Sequence, residues 1–193
     1  MCGRYYIATA EEEEEIRQII KEISDKYKNN PELAKMKTGE IFPTDVVPVI
    51  TSDFPMLMKW GFDRYDGKGQ VINARVESVN EKPMFKKPFA QNRCLIPASY
   101  FFEWEKVGTK KQKYALGLRQ PIYMAGIYRF KKEDPLPEFV IITRPAATNI
   151  AFIHDRMPVI LPKEAHKAWL SQHINELDVL DISIGLLSYK VAN

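Results

Sequence analysis

Cys2 stands directly after Met1. Removal of Met1, routine before a residue as small as cysteine, leaves a free α-amine and a thiol on adjacent carbons. The amine, with an ordinary pKa of about 7.7–8.0, is substantially unprotonated near neutrality, and the thiol, at about 8.5, supplies some thiolate. A 1,2-aminothiol of this kind takes an aldehyde twice. The amine condenses to an imine, and the sulfur then adds to the same carbon and closes a five-membered thiazolidine, which resists hydrolysis better than a bare imine. A cysteine in this position is more often a small buried hydrophobe or idle, so the rest of the chain decides what Cys2 does.

Three other segments hold polar groups in otherwise apolar runs. In Val71-Ile72-Asn73-Ala74-Arg75-Val76-Glu77 the side chains of Asn73, Arg75 and Glu77 fall on one face by the period of two. A solvent-facing polar edge is the ordinary explanation, yet Asn is a poor strand former. In Phe101-Phe102-Glu103-Trp104 one carboxylate lies among aromatics. It either points to solvent or is desolvated, and in the second case its pKa rises until it carries a proton near neutrality. In Ile153-His154-Asp155-Arg156-Met157-Pro158 a histidine precedes an apolar strand. It is either a proton carrier or a structural corner. His166 and His173 have no Cys or acidic neighbours at ligand spacing, and no metal site or cofactor is expected.

Composition sets the frame for these groups. A chain of 193 residues, 45% hydrophobic and 11% aromatic, is long and apolar enough for one full core, so residues 1–193 read as a single domain. The net charge of +3 permits a polyanionic partner without requiring one. Two cysteines, Cys2 and Cys94, exclude a disulfide framework and a CxxC pair, which fits a reducing compartment. No signal-peptide pattern and no apolar run near the ~18 residues of a membrane span occur. A soluble, cytoplasmic monomer without membrane contact is expected.

The elements that must position the reactive groups are mostly short strands. Residues 2–7 read as a strand, and Thr9-Ala10-Glu11-Glu12 as a capping box opening a helix whose apolar stripe is Ile16, Ile19, Ile20, Ile23 and Tyr27. The acidic run Glu11 to Glu15 suits the helix start. From Ile41-Phe42-Pro43-Thr44 onward, β-branched or aromatic runs cover 46–50, 56–60, 71–76, 94–96, 101–104, 115–118, 122–128, 139–143 and 157–161. Asp66-Gly67-Lys68-Gly69 marks a turn. Residues 145–152 and 162–172 are the remaining helix candidates. This pattern predicts an α+β fold: a mostly antiparallel, curved sheet or open β-barrel with a few peripheral helices.

Met1-Cys2-Gly3-Arg4-Tyr5, Asn73-Ala74-Arg75-Val76-Glu77, Arg93-Cys94-Leu95-Ile96-Pro97-Ala98 with Phe102-Glu103-Trp104, and His154-Asp155-Arg156-Met157-Pro158 together resemble the SOS-response-associated peptidase (SRAP) family. The motifs occur in the family's order, over residues 2–161. Trp60-Gly61 and Pro43-Thr44 resemble two further family elements. The resemblance implies a sensor of abasic sites in single-stranded DNA that crosslinks itself to them, with Cys2, Asn73, Glu103 and His154 as the catalytic set and Arg75 and Arg156 on phosphates. DNA repair, strand cleavage as a lyase side activity, reversal of the crosslink and self-removal of Met1 follow from it as expectations. Arg4, Lys86 and Lys87 are further candidates for phosphate contact, and Pro43, Trp60 and Trp104 for contact with bases, while Trp60 and Trp104 read equally as part of the core and Lys86 and Lys87 as ordinary surface charge. Ser99-Tyr100 and Glu40 depart from the family pattern. Two other functions stay open: a thiol amidohydrolase or peptidase with Cys2 as nucleophile and His154 as base, and a non-catalytic single-strand binding module.

Overall fold

The structure, a computed structural model, describes residues 2–8, 13–132, 134–171, 178 and 181–192. Met1, the capping pattern at Thr9-Ala10-Glu11-Glu12 and His173 lie outside them. The N-terminal residues form β1 (Tyr5–Ile7), and the isoleucine stripe winds into α1 (Glu14–Lys26), burying Ile16 and Ile23. Its first turn carries Glu14 and Glu15, where the helix dipole favours negative charge. There follow β2 (Gly39–Ile41), β3 (Val46–Ile50), β4 (Pro55–Trp60), β5 (Phe62–Asp63), β6 (Gln70–Val71) and β7 (Asn73–Arg75). Gly67 and Gly69, at φ 66° and 84°, turn the chain between β5 and β6.

Periodicity gives no sign of α2 (Pro83–Gln91), because Pro88 lies inside it. The helix stands because Pro83 starts it without losing a hydrogen bond, and because Phe85, Pro88 and Phe89 are buried on one side. β8 (Arg93–Val107) and β9 (Lys110–Arg129) each join two runs that the sequence divides at prolines. Their ladder shifts register between Ala98 and Tyr100, and the partners jump from Ile122 to Gly117, so Pro121 falls in an excursion outside the ladder. The chain finishes with β10 (Glu138–Pro145), β11 (Arg156–Pro158), α3 (Lys163–Leu170) and β12 (Ser188–Val191).

Residues 145–152 do not form the expected helix. Pro145 ends β10 opposite Arg156, and the Ala146 amide donates to the Asp155 carbonyl at 2.9 Å, so the intervening chain is a series of turns. Those turns drop Ile150 and Ile153 into the core.

β8 pairs with β9, β9 with β10, β10 with β4, β4 with β3, and β3 returns to β8. Five strands thus close a ring in which only β4 and β10 run parallel. The fold is α+β and mostly sheet, and the barrel is closed where the sequence suggested an open one. Closure rests on Ile50 opposite Leu95, and it removes two exposed sheet edges. β1 adds to β8, β2 to β1, β12 to β9, and both β7 and β11 to β10. Beyond the ring, residues 104–107 and 110–113 continue as a two-stranded ribbon closed by Gly108 at φ 62°.

Both faces of the ring are buried, which explains runs without alternation. Along β10, Phe139 and Ile141 face the barrel interior with Tyr5, Trp60, Ile96 and Met124, while Val140 and Ile142 face outward under Phe85 and Phe89 of α2 and Trp169 of α3. A third cluster, Ile23, Tyr27, Leu57 and Leu136, seats the end of α1.

Candidate active site

Backbone pairing brings the N-terminus to the carboxylate. Tyr5 lies opposite Phe101, and the Phe102 amide donates to the Arg4 carbonyl at 2.8 Å, so the same register sets Gly3 beside Glu103. Cys2 is buried at the end of this segment, its thiol 3.8 Å from the Arg4 carbonyl oxygen. From another direction, β7 pairs with β10 through Asn73 opposite Ile141, and the Asn73 Nδ2 donates to the Cys2 carbonyl at 2.8 Å. That bond accounts for a poor strand former in this strand. His154 arrives on the turns that link β10 to β11. Asn73 and the strand of Glu103, far apart in the chain, thus meet at the Cys2 segment, and the His154 turn arrives beside Glu103.

Arg4, Glu103, Trp104, Lys106, Lys111 and His154 line an open cleft of about 560 Å³. Glu103 is only 4% exposed, so it does not point to solvent. Burial pushes its carboxyl above the ordinary range, and the His154 imidazole opposes that rise. Burial, reinforced by the Glu103 charge, pushes the Cys2 thiol far up. The Nδ1 atom of His154 lies 2.8 Å from Asp155 Oδ1 and 3.0 Å from the Arg156 amide. A neutral ring accepts the Arg156 N–H there and carries its own proton on Nε2; a charged ring donates Nδ1–H to Asp155. Cys94, the other thiol, is buried in the barrel wall. Among the described residues no group of three or more His, Cys, Asp or Glu side chains is placed to hold a metal ion.

The other singled-out residues divide by what already holds them. The Arg4 guanidinium lies between the rings of Phe42 and Trp104, at 4.1 and 5.2 Å, and pairs with Glu40 at 3.2 Å. Glu40, one of the departures, also takes Lys113 at 3.0 Å. Ser99, the other, accepts the Ala8 N–H at 3.1 Å and donates to Glu13 at 2.9 Å. Arg156 is 10% exposed and forms a two-pronged pair with Glu77 at 2.5 and 2.9 Å, with a further bond to the Thr143 carbonyl. Arg75, Lys86 and Lys87 are exposed. Asn73 and Arg75, with Tyr65, Lys82, Met84 and Phe85, line a second cleft of about 670 Å³.

Trp60 corrects the sequence reading. It is fully buried, stacked on Phe139 and donating Nε1–H to the Ile72 carbonyl at 3.0 Å, so it offers no face to a base. Pro43 is half-buried beside Thr44, a β-branched residue held at φ 80° by its amide bond to the Trp60 carbonyl. Sequence reasoning missed Lys106, Lys111 and Lys82 as cleft residues. For the first two a signal exists: placed across Gly108, they are cross-strand partners.

A small mixed β-barrel that sets Cys2 against Asn73 and beside the strand of Glu103, with His154 in the same cleft as that carboxylate, defines a distinct kind of protein. The model of the SOS response associated peptidase (SRAP) family matches residues 1–186, and the chain belongs to that family. It is 30% identical over 197 aligned positions to abasic site processing protein YoqW of Bacillus subtilis (strain 168), covering 93% of this chain and 84% of that one. It is 36% identical over 129 positions to abasic site processing protein YedK of Escherichia coli (strain K12), covering 64% of this chain and 58% of that one. A crystal structure of a protein from Bacteroides thetaiotaomicron superposes with a TM-score of 0.82, over all of this chain and 92% of that one. At 22% identity that likeness speaks for the fold alone. No helix among the described residues is long and apolar enough to cross a membrane.

Proposed function

We propose that this chain processes abasic sites in single-stranded DNA by capturing the damaged sugar on its own N-terminus. Once Met1 is gone, the Cys2 amine attacks the aldehyde carbon of the ring-opened deoxyribose and water leaves, giving an imine. The Cys2 sulfur then bonds to the imine carbon, its proton passes to nitrogen, and a thiazolidine closes. Burial holds the thiol protonated in the chain with Met1 attached, and the ammonium created on Cys2 by Met1 removal acts in the opposite direction.

Glu103, its carboxyl raised by desolvation, gives and takes the protons of imine formation; His154 protonates the sugar ring oxygen on opening and reclaims that proton on reversal. Asn73 holds Cys2 by its carbonyl, near the ~3–3.5 Å approach that proximity catalysis needs. The imine acidifies the neighbouring carbon, so elimination of the 3′ phosphate, a lyase step, competes until the ring closes. Cys2 and Glu103 together also serve removal of Met1, the act that a peptidase label describes. Arg75, Lys86 and Lys87 hold phosphates without reading sequence, as does Arg4 from between its two rings. Arg156 joins them by exchanging its Glu77 pair for phosphate. Trp104 and Pro43 lie against bases beside the lesion.

The observation that carries this reading is the meeting at the N-terminal segment: Asn73 bonds the Cys2 carbonyl at 2.8 Å, and strand pairing sets Gly3 beside Glu103, which lines a cleft with His154. The test is the intact mass of the protein before and after incubation with a single-stranded oligonucleotide containing one abasic site. A mass gain of one oligonucleotide less one water, surviving denaturation and lost in Cys2→Ala, is expected. No gain, or a gain retained by Cys2→Ala, overturns the proposal.

A further inference from the structure

One face of the β8, β9 and β12 ladder carries a second feature beside the cleft. Glu103 on β8 lies opposite Tyr114 on β9, and Tyr114 opposite Val191 on β12. Cross-strand partners share a face, and so do residues two apart, which sets Tyr189 on the face of Glu103 as well. Phe152, two residues before His154, closes on both tyrosines from the turns. Its ring centroid is 6.0 Å from that of Tyr114 and 5.4 Å from that of Tyr189, and the tyrosines are 6.0 Å apart. All three contacts are edge-to-face.

Core packing does not require this cluster. Phe152 is 51% exposed and Tyr189 47% exposed, and they come from separate elements. The Tyr114 hydroxyl donates to Glu105 at 2.8 Å, which fixes that ring and occupies the next carboxylate along the face. With strands about 4.8 Å apart and residues about 3.3 Å apart along each, Tyr189 sits roughly 12 Å from Glu103, within reach of a nucleotide flanking the one in the cleft. Glu103, on the face of the platform, also lines the cleft with Arg4, Lys106 and Lys111, whose cations favour a polyanion that carries flat rings over an apolar protein surface.

We propose that Tyr114, Phe152 and Tyr189 form a stacking subsite for one unpaired nucleobase flanking the nucleotide in the cleft. The subsite rests on the reading of this chain as a protein acting on abasic single-stranded DNA, and it deepens that reading. Aromatic faces stack on any base, so the contact is indifferent to sequence. It engages only one side of the lesion, because the three rings lie on one side of Glu103.

The test is the rate of adduct formation at limiting concentration of three oligonucleotides: an abasic site with nucleotides on both sides, on the 5′ side only, and on the 3′ side only. Phe152→Ala and Tyr189→Ala are expected to slow capture of the two-sided oligonucleotide on the order of tenfold, the scale of one lost base stack. Phe152→Leu, which keeps apolar packing and removes the aromatic face, should show the same loss, and Phe152→Trp should restore the rate. The loss should vanish on one of the two one-sided oligonucleotides. Equal loss on all three, or no loss on any, overturns the subsite; the second outcome leaves the patch to a protein partner. Absence of any adduct with the unaltered protein defeats the abasic-site reading instead, so the two failures are told apart.

Discussion

Glu103 and Glu138 are both buried carboxylates, 4% and 0% exposed, and the fold treats them oppositely. Glu138 on β10 receives Arg129 through Nε and Nη2 at 3.0 and 2.9 Å, Lys131 at 3.3 Å and the Asp63 amide at 3.3 Å. Lys131 also pairs with Asp63, and that ammonium, with help from Gln70, holds the Asp63 carboxyl at about 2. At Glu103 burial dominates instead, and the imidazole of His154 is among the groups that oppose it. A guanidinium keeps its charge at any accessible pH, whereas an imidazole can lose it. Fixed cations make a buried carboxylate a strut; a titratable neighbour leaves it able to handle protons.

Exchanging each carboxylate for its amide puts that contrast under the greatest load. Glu103→Gln should lower the rate of adduct formation by roughly 10²–10⁴, the usual range for a lost general acid–base, while Glu138→Gln leaves the rate per folded molecule unchanged. Equal effects in a single-turnover assay would break the comparison. In urea unfolding the order reverses. Glu138→Gln leaves Arg129 and Lys131, 20% and 37% exposed, facing a neutral buried amide and should cost about 1–3 kcal/mol, with no comparable loss in Glu103→Gln.

The arginines repeat the division on a smaller scale. Arg75→Ala should lower the slope of log affinity against log salt by about one unit, alike for all DNA sequences. For Arg156→Ala, part of the effect should appear as lost folding stability, because Glu77 and the Thr143 carbonyl lose their partner. A salt slope unchanged by Arg75→Ala would remove that residue from the phosphate path.

The smallest expected effect is in the pH dependence of stability. Because the folded-state pKa of Glu103 is raised, its favourable contribution belongs to the protonated form and is lost as pH rises through the folded pKa. Glu103→Gln should therefore gain on the unaltered protein in melting temperature from acid toward neutral pH. Asp63 is the mirror case: its depressed pKa gives a contribution present above the ordinary carboxylate range and lost as pH falls toward about 2, so Asp63→Asn should match the unaltered protein only in strong acid. Parallel melting curves for both variants would contradict the contrast.

The candidate groups were legible in the sequence because chemistry is carried by residue type. Cys2, Asn73, Glu103 and His154 stand out as polar groups in apolar or terminal settings, and the structure brings Cys2 to Asn73 and sets Glu103 and His154 in one cleft. What holds them was less legible. The Glu77 clamp on Arg156 spans 79 positions, and no local pattern announces it. Proline misled in both directions: Pro88 hides a helix that tertiary packing sustains, and Pro121 splits a strand that only bulges. Trp60 has the composition of a stacking residue and the burial of a core one, and only the closed ring decides between them.

The ribbon beyond the ring has a mechanical consequence. Residues 104–107 and 110–112 pair only with one another among the described residues, and an isolated pair of strands is marginal in water. Lys106 and Lys111 lie directly opposite on it, so their repulsion favours opening until an anion sits between them. Amide hydrogens there should exchange with solvent sooner than those of the barrel, and should slow once a polyphosphate chain is present. One wall of the cleft is thus expected to open and close while Glu103, on the part of β8 paired with both β1 and β9, stays in place.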